Sequence, residues 1–273
     1  MYSVNKELII RSSSEAVDFA LLKDGKLIEL HKERETSKFQ VGDIFIAKIR
    51  KPVAGLNAAF VNIKKKKDAF LHYHDLGPNL ASQLKFIKLV SAGKLKDFSL
   101  KNFQFEKEID KDGTVASVLS ANQSILVQVV KEPISTKGPR ISSELSLAGR
   151  YILLVPFSDR VSVSQKIEEK SEKDRLKKLV QAIKPKGFGV IVRTVAKGKN
   201  TAEIEKDLQN LLDRWTAMCK KLPTAHHSSK VLVYLNKASS ILRDVFNDTF
   251  TSIQIDDEEL YQVRTSSLMI KCL

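Results

Sequence analysis

Arg193 and Thr194 stand together at the end of an apolar run, KGFGVIVRT (186–194). A guanidinium fork beside a hydroxyl is what a terminal phosphate requires: charge-assisted, bidentate contacts and one neutral donor. The other reading of the pair is a surface salt bridge. Phe60 and Phe70 form the second candidate set, in AAFV and AFLH on either side of the lysine run Lys64–Lys67. Rings on basic strands can stack unpaired bases while lysines attract the backbone phosphates. Read blandly, the same two residues are core phenylalanines. His72 and His74, two apart on a strand, share a face, but no third ligand of suitable spacing completes a metal site. His226 and His227 fall in a polar turn and read as solvated. Asp256–Glu259 reads as a helix start with a favourable dipole. No nucleophile–histidine–carboxylate set presents itself, so spacing assigns no catalytic and no metal-binding residue.

The chain has 273 residues and a formal net charge of +14, with an isoelectric point near 9.6. That length suits two or three compact units. A charge so positive implies an anionic partner, RNA or DNA most simply, or an anionic membrane surface. No apolar stretch is long enough to span a bilayer. The opening residues read as a strand rather than a secretion signal. Cys219 and Cys272 make neither a disulfide framework nor a zinc set, which points to a reducing cytoplasm.

The elements that must position these residues are legible as runs. Strands at 7–10, 16–22 and 26–33 form a meander, with Asp24-Gly25 as a hairpin turn. So small a meander needs a partner to cover its face. Between 38 and 76, alternating apolar residues in GDIFIAKIRKPV, NAAFVNI and AFLHYHDL mark short antiparallel strands of a barrel. Residues 77–113 read as a long, partly mobile insertion, helical over 80–90, its lysines a solvated face. Strands follow at SILVQVVKE and ILLVP (152–156), separated by a loop, ISTKGPRISSELSLAGRY, suited to face RNA. A charged helix spans 167–183. Thr201 is expected to cap a second helix whose apolar stripe is Ile204, Leu208, Leu211, Leu212, Trp215 and Met218. A strand over 231–235, a short helix over 239–248 and a strand over 252–256 are candidates to join the opening meander. A last helix starts near 258.

In this order, NKELIIRS, FALLKDGKLIELHKE, GDIFIAKIRKPVAGLNAAFVNIKKKKDAFLHYHDL, ISSELSLAGRYILLVP and KGFGVIVRTVAKGK closely resemble the N-terminal half of the ribonuclease E/G family, over roughly residues 5–262. The resemblance implies an α+β fold. An OB-type barrel (an S1 domain, 38–142, with the lysine-rich insertion) and a 5′-sensor α/β subdomain (143–229) are inserted into a discontinuous, incomplete ribonuclease-H-like subdomain (1–37 and 230–273). It implies single-stranded RNA as partner, held by Phe60, Phe70 and Lys137. It implies a 5′-monophosphate bound by Arg193 and Thr194, with Gly149 and Leu153 as backbone support. Gln165 and Lys166 stand where some members carry two arginines, a departure that weakens phosphate binding there.

The family's Mg²⁺-dependent cleavage uses two aspartates of a following deoxyribonuclease-I-like subdomain, and a later Cys-Pro-x-Cys motif holds Zn²⁺ between protomers. The chain is expected to end before both, so no cofactor is expected within it. Its last residues, VRTSSLMIKCL, depart from the family pattern and read as a foreign tail or premature end. The expectation is an RNA-binding portion of an endoribonuclease of RNA processing and decay, lacking the catalytic aspartates. One alternative is an active Mg²⁺-dependent enzyme, assembled with a chain that carries the catalytic half; a homo-oligomer or such a chain is the partner considered besides RNA. The other is an S1-type, translation-associated RNA-binding protein.

Overall fold

The computed structural model describes residues 5–12, 16–34, 39–63, 68–133, 138–226, 228–233, 250–256 and 270–272. The chain divides into two compact units, one of residues 1–38 with 235–273, the other of residues 39–234. The first opens with β1 (Lys6–Ser12), β2 (Ala16–Lys23) and β3 (Lys26–Arg34). Asp24 and Gly25 both take positive φ, 50° and 74°. That backbone twist matches the flanking strands and closes the β2–β3 hairpin with two residues.

The second unit contains β4 (Ile44–Val53), β5 (Ala58–Asn62), β6 (Ala69–His72), α1 (Leu80–Ser91), α2 (Val115–Val118), β7 (Ser124–Lys131) and β8 (Arg140–Ser142). The chain continues through β9 (Leu147–Ala148), β10 (Ile152–Pro156), β11 (Val161–Val163), α3 (Lys170–Ile183), β12 (Phe188–Val192), α4 (Thr201–Lys221) and β13 (Ser229–Leu232). In the first unit β14 (Phe250–Ile255) and β15 (Ile270–Cys272) complete the sheet in the order β15-β14-β1-β2-β3. The strand expected at 252–256 thus joins the opening meander, parallel to β1. Leu8, Ile10, Phe19, Ile253 and Ile255 bury one face of this sheet. The helix expected over 239–248 and the one near 258 lie outside the described residues.

Strands β4-β5-β6-β8-β7 form a barrel that closes by pairing β4 with β7. β6 and β8 run parallel and the other neighbours antiparallel, and α1 lies between the third and fourth strands in sequence. This is the five-stranded OB arrangement. β4 makes it possible: its first half pairs with β7 and its second half with β5. The strand expected at 231–235 is β13, at Ser229–Leu232. It pairs antiparallel with the first half of β4 rather than with the opening meander. The wholly buried Asp43 carboxylate holds it there, 2.6 Å from Lys230 Nζ.

Two cores meet along β4. Phe45, Ala47, Ile49, Ala59, Val61, Ala69, Leu71 and Val127 belong to the barrel core. Ile44, Ile46 and Leu126 face the other way and join the core of the α/β part. A strand end buried on both faces reads as a continuous apolar run, which is why IFIA does not alternate. The α/β sheet has the order β11-β12-β10-β9. Ile152, Leu154, Val190 and Val192 of that sheet share a core with Leu176 and Val180 of α3 and Ile204, Leu208, Leu211 and Trp215 of α4.

The insertion at 77–113 departs from the expected solvated segment. Beyond α1 it is irregular, but Leu100 and Phe103 are buried and Phe98 and Phe105 pack on the α/β core. Trp215 anchors it: Nε1 donates to the Phe98 carbonyl at 2.9 Å. Its ring lies 5.6, 5.7 and 5.8 Å from those of Phe86, Phe157 and Phe188. The capping residue of α4 is Asn200, not Thr201. Its side chain accepts from Glu203 N, and Glu203 returns the bond, a capping box.

Candidate nucleic-acid interface and phosphate site

The period of two along β5 and β6 divides their side chains. Ala59, Val61, Ala69 and Leu71 enter the barrel core fully buried. Phe60 and Phe70 take the outer face, each half-buried. They are direct cross-strand partners, with ring centroids 6.1 Å apart at 67°. Register extends this row in both directions. Lys51 partners Phe60, Arg140 partners Phe70, and Lys131 partners Arg140. Two rings are therefore bracketed by cations, and Lys51, Arg140 and Lys131 are exposed.

The arginines of this face are fixed by acids. Arg140 donates Nε and Nη2 to Asp75 at 2.9 Å each, and this carboxylate raises the guanidinium pKa. Arg50 Nη1 donates to Asp68 at 2.9 Å. Past Phe70, the His72 ring lies 6.4 Å away, and His74 a further 5.1 Å. Among the described residues no three His, Cys, Asp or Glu side chains gather as a metal site needs. Lys64–Lys67 and Lys137 lie outside the described residues. The neighbours of Lys137 are tied to β6: the Pro139 carbonyl accepts from Phe70 N at 3.2 Å. A Cβ on Gly138 would collide with the Asp68 carbonyl oxygen, so only glycine permits this approach.

At the end of the α/β sheet, Arg193 leaves β12. Its backbone N–H donates to the Tyr151 carbonyl at 2.8 Å. Its Nη1 donates to the Gly149 carbonyl at 2.8 Å and to that of Arg150 at 3.3 Å. The 149–152 turn is held in turn by Asp207 of α4, whose carboxylate accepts from the N–H groups of Arg150 (3.1 Å), Tyr151 (2.7 Å) and Ile152 (3.2 Å). A Cβ at position 149 would lie 2.5 Å from that carboxylate, so the turn requires glycine there.

Thr194 Oγ1 and Ser164 Oγ share a hydrogen bond of 2.9 Å, and Ser164 N donates to the Val192 carbonyl. These bonds bring the turn bearing Gln165 and Lys166, both exposed, against Thr194. Leu153 is the register partner of Ile191, which is 41% exposed. The structure thus assembles Arg193, Thr194, Gly149, Leu153, Gln165 and Lys166 around one end of the sheet.

The segment after Thr194 is pinned to α3. Glu172 accepts from Arg175 at 2.7 and 2.8 Å and from Gly198 N at 2.8 Å. Arg175 first, then the Gly198 N–H, pull this carboxyl down to about 2. Lys197 pairs with Glu169 at 2.8 Å. The Tyr151 ring has Arg150 over it at 5.3 Å and Lys199 at 5.7 Å, and its hydroxyl donates to Glu203 at 3.2 Å. Burial is the main cause that raises the Tyr151 hydroxyl pKa. Asp207, Glu172, Ser164 and Arg150 are supports that sequence reading did not single out. Asp207 lies 57 residues from Arg150, and only the fold brings them together.

The sequence matches the model of the Ribonuclease E/G family over residues 146–271. It is 30% identical to Ribonuclease G of Escherichia coli (strain K12) over 256 residues, 94% of this chain and 48% of that protein. It is 32% identical to Ribonuclease E of Nostoc sp. over 216 residues, 79% of this chain and 27% of that protein. A Ribonuclease E/G-like protein of Pyropia yezoensis is 33% identical over 221 residues, 80% of this chain and 38% of that one. The chain spans about half the length of the Ribonuclease G relatives it matches. The match over the α/β part, together with relatives aligned along most of the chain, makes this chain similar to the ribonuclease E/G family.

Proposed function

We propose that this chain is the RNA-binding portion of a ribonuclease E/G-type endoribonuclease of RNA processing and decay. The barrel, read as an S1 domain, holds single-stranded RNA. The observation that carries this reading is the row Lys51–Phe60–Phe70–Arg140–Lys131, two outward rings bracketed by cations. Rings that pack a barrel core face inward, whereas these are directed away from it. A base stacks on each ring while the flanking lysines attract phosphate, a combination that suits an unpaired strand of mixed sequence. Lys137 is assigned to the same surface on the family resemblance alone.

The second half of the grip is the sheet end at Arg193. Arg193 and Thr194 receive a 5′-monophosphate, and the bonds from Arg193 to Gly149 and from Thr194 to Ser164 set both groups before ligand arrives. Gln165 and Lys166 supply one neutral and one cationic side chain nearby. The described residues gather no metal-ligand set. Cleavage belongs, in this reading, to the family's catalytic aspartates outside the matched half. A partner chain carrying that subdomain would bring them to the grip.

The test uses fluorescence anisotropy with a labelled single-stranded RNA and its duplex. The single strand should bind more tightly. Phe60→Ala and Phe70→Ala should each weaken it by about 1–3 kcal/mol, the value of one base–aromatic stack, with the melting temperature nearly unchanged. Equal affinity of wild type and both variants would refute the stacking role. With Mg²⁺ the RNA should stay intact; chelator-sensitive cleavage would contradict a binding-only role for these 273 residues.

A further inference from the structure

A cavity of about 60 Å³ sits between the 76–80 segment, α1 and the end of β10. It shares no lining residue with the aromatic face of the barrel or with the sheet end at Arg193. Leu76, Leu80 and Phe157 line it with buried apolar side chains. Phe157 has a φ of 65°, a backbone conformation uncommon for a bulky residue, which persists where the surroundings impose it. Its ring is held 5.3, 5.7 and 6.2 Å from those of Phe86, Trp215 and Phe103, so this wall is rigid. Glu144 and Arg160 are the exposed residues of the lining and mark its mouth.

Gln83 gives the cavity its polar end. The residue is 2% exposed, and its Nε2 donates to the Ser143 carbonyl at 2.7 Å. A carbonyl can only accept, so the amide has a single orientation. Among the described residues nothing donates to its Oε1. The nearby Ser143 hydroxyl is already committed to the Leu76 carbonyl. Buried acceptors are nearly always satisfied, so Oε1 requires a donor from the occupant of the cavity.

Size and rim narrow that occupant. The volume suits about four waters, the bulk of one six-membered ring with its substituents rather than of a fused pair. Arg160 is only loosely engaged, 3.6 Å from Glu108, with both side chains more than half exposed. The rim thus offers a guanidinium for a phosphate and, in Glu144, a carboxylate for ribose hydroxyls. Among single-ring bases, cytosine presents an exocyclic amine, whereas uracil presents a carbonyl at the same position. Uracil would set acceptor against acceptor at Gln83.

We propose that this cavity binds a cytidine nucleotide. Its exocyclic amine donates to Gln83 Oε1, its ring lies against the Phe157 wall, and its phosphate meets Arg160. The site stands independently of the barrel face and of the 5′-phosphate reading.

Titration calorimetry of the whole chain with cytidine 5′-monophosphate and with uridine 5′-monophosphate tests this. The cytidine nucleotide should bind about tenfold more tightly, the worth of one buried hydrogen bond. Gln83→Leu should abolish the difference. Arg160→Ala should weaken binding of the nucleotide and leave that of cytidine, which lacks the phosphate, unchanged. Arg193→Ala should keep the cytosine preference, which separates this site from the one at the sheet end. Oligocytidylate that binds more tightly than the mononucleotide, and loses this advantage in Gln83→Leu, would assign the base to an RNA strand. Without that advantage the ligand is the free nucleotide. Absence of saturable binding, or equal affinity for the two nucleotides in wild type, would overturn the proposal without recourse to any variant. A cytosine preference that survives Gln83→Leu, or that disappears in Arg193→Ala, would overturn it as well.

Discussion

The Arg193 guanidinium donates to the carbonyl oxygen of Gly149 at 2.8 Å, across 44 positions of sequence. That bond joins the end of β12 to the turn between β9 and β10, and the same turn hangs on Asp207 through successive backbone N–H groups. The direction of Arg193 is thus tied to a turn that α4 itself holds.

Gly149→Ala should disturb this arrangement from its centre. The added Cβ would lie 2.5 Å from the Asp207 carboxylate, so turn and helix must separate. Asp207→Ala reaches the same end by removing the acceptor. Each buried N–H left unsatisfied costs about 1–3 kcal/mol. Urea denaturation should show destabilisation in that range, and binding to 5′-monophosphorylated RNA should weaken more than binding to 5′-hydroxyl RNA.

Acid should loosen the segment after Thr194. Glu172 titrates at about 2 when folded against an ordinary 4.5, lowered by Arg175 and the Gly198 N–H. A depressed folded value means that its contribution is complete above about 4.5 and lost as pH falls toward 2. Denaturation midpoints measured between pH 5 and 2 should fall with acidification, and Glu172→Gln should flatten that dependence. A wild-type profile identical to that of the variant would contradict the linkage.

The barrel face should read salt as a lysine surface does. Lys51→Ala and Lys131→Ala each remove one cation bracketing the ring pair. If each meets one phosphate, the slope of log affinity against log salt should drop by about 0.7 per variant, the value for single strands. Binding isotherms at several salt concentrations check this.

Trp215 should govern the order of the insertion. Trp215→Ala removes a ring packed on Phe86, Phe157 and Phe188 and the donor to Phe98. Such a truncation costs about 3–5 kcal/mol. Hydrogen exchange should accelerate at residues 98–105 before it does in the barrel.

The barrel was legible because its signal is local. Ala59, Phe60, Val61 and Ala69, Phe70, Leu71 alternate, and alternation fixes which side chains face out. The Asp24-Gly25 hairpin was legible for the same reason. The insertion was misread because Phe98, Leu100, Phe103 and Phe105 have no period and lie among lysines. Their burial depends on Trp215, more than a hundred residues later. β13 was assigned to the wrong partner because its apolar run shows strand propensity but not the edge it joins. The Lys230–Asp43 pair that decides this is a tertiary contact. Arg193 and Thr194 stand out in the sequence as an adjacent guanidinium and hydroxyl. Asp207, Glu172 and Ser164, which orient them, carry no short-range pattern.

In the function proposed, one chain grips a strand and reads its end. The most direct measurement compares affinity for 5′-monophosphate and 5′-hydroxyl forms of one single-stranded RNA, in wild type and in Arg193→Ala. Wild type should bind the monophosphate more tightly and the variant should bind both nearly equally, with affinity for the hydroxyl form retained. Equal affinities for the two RNAs in the wild-type chain would contradict it.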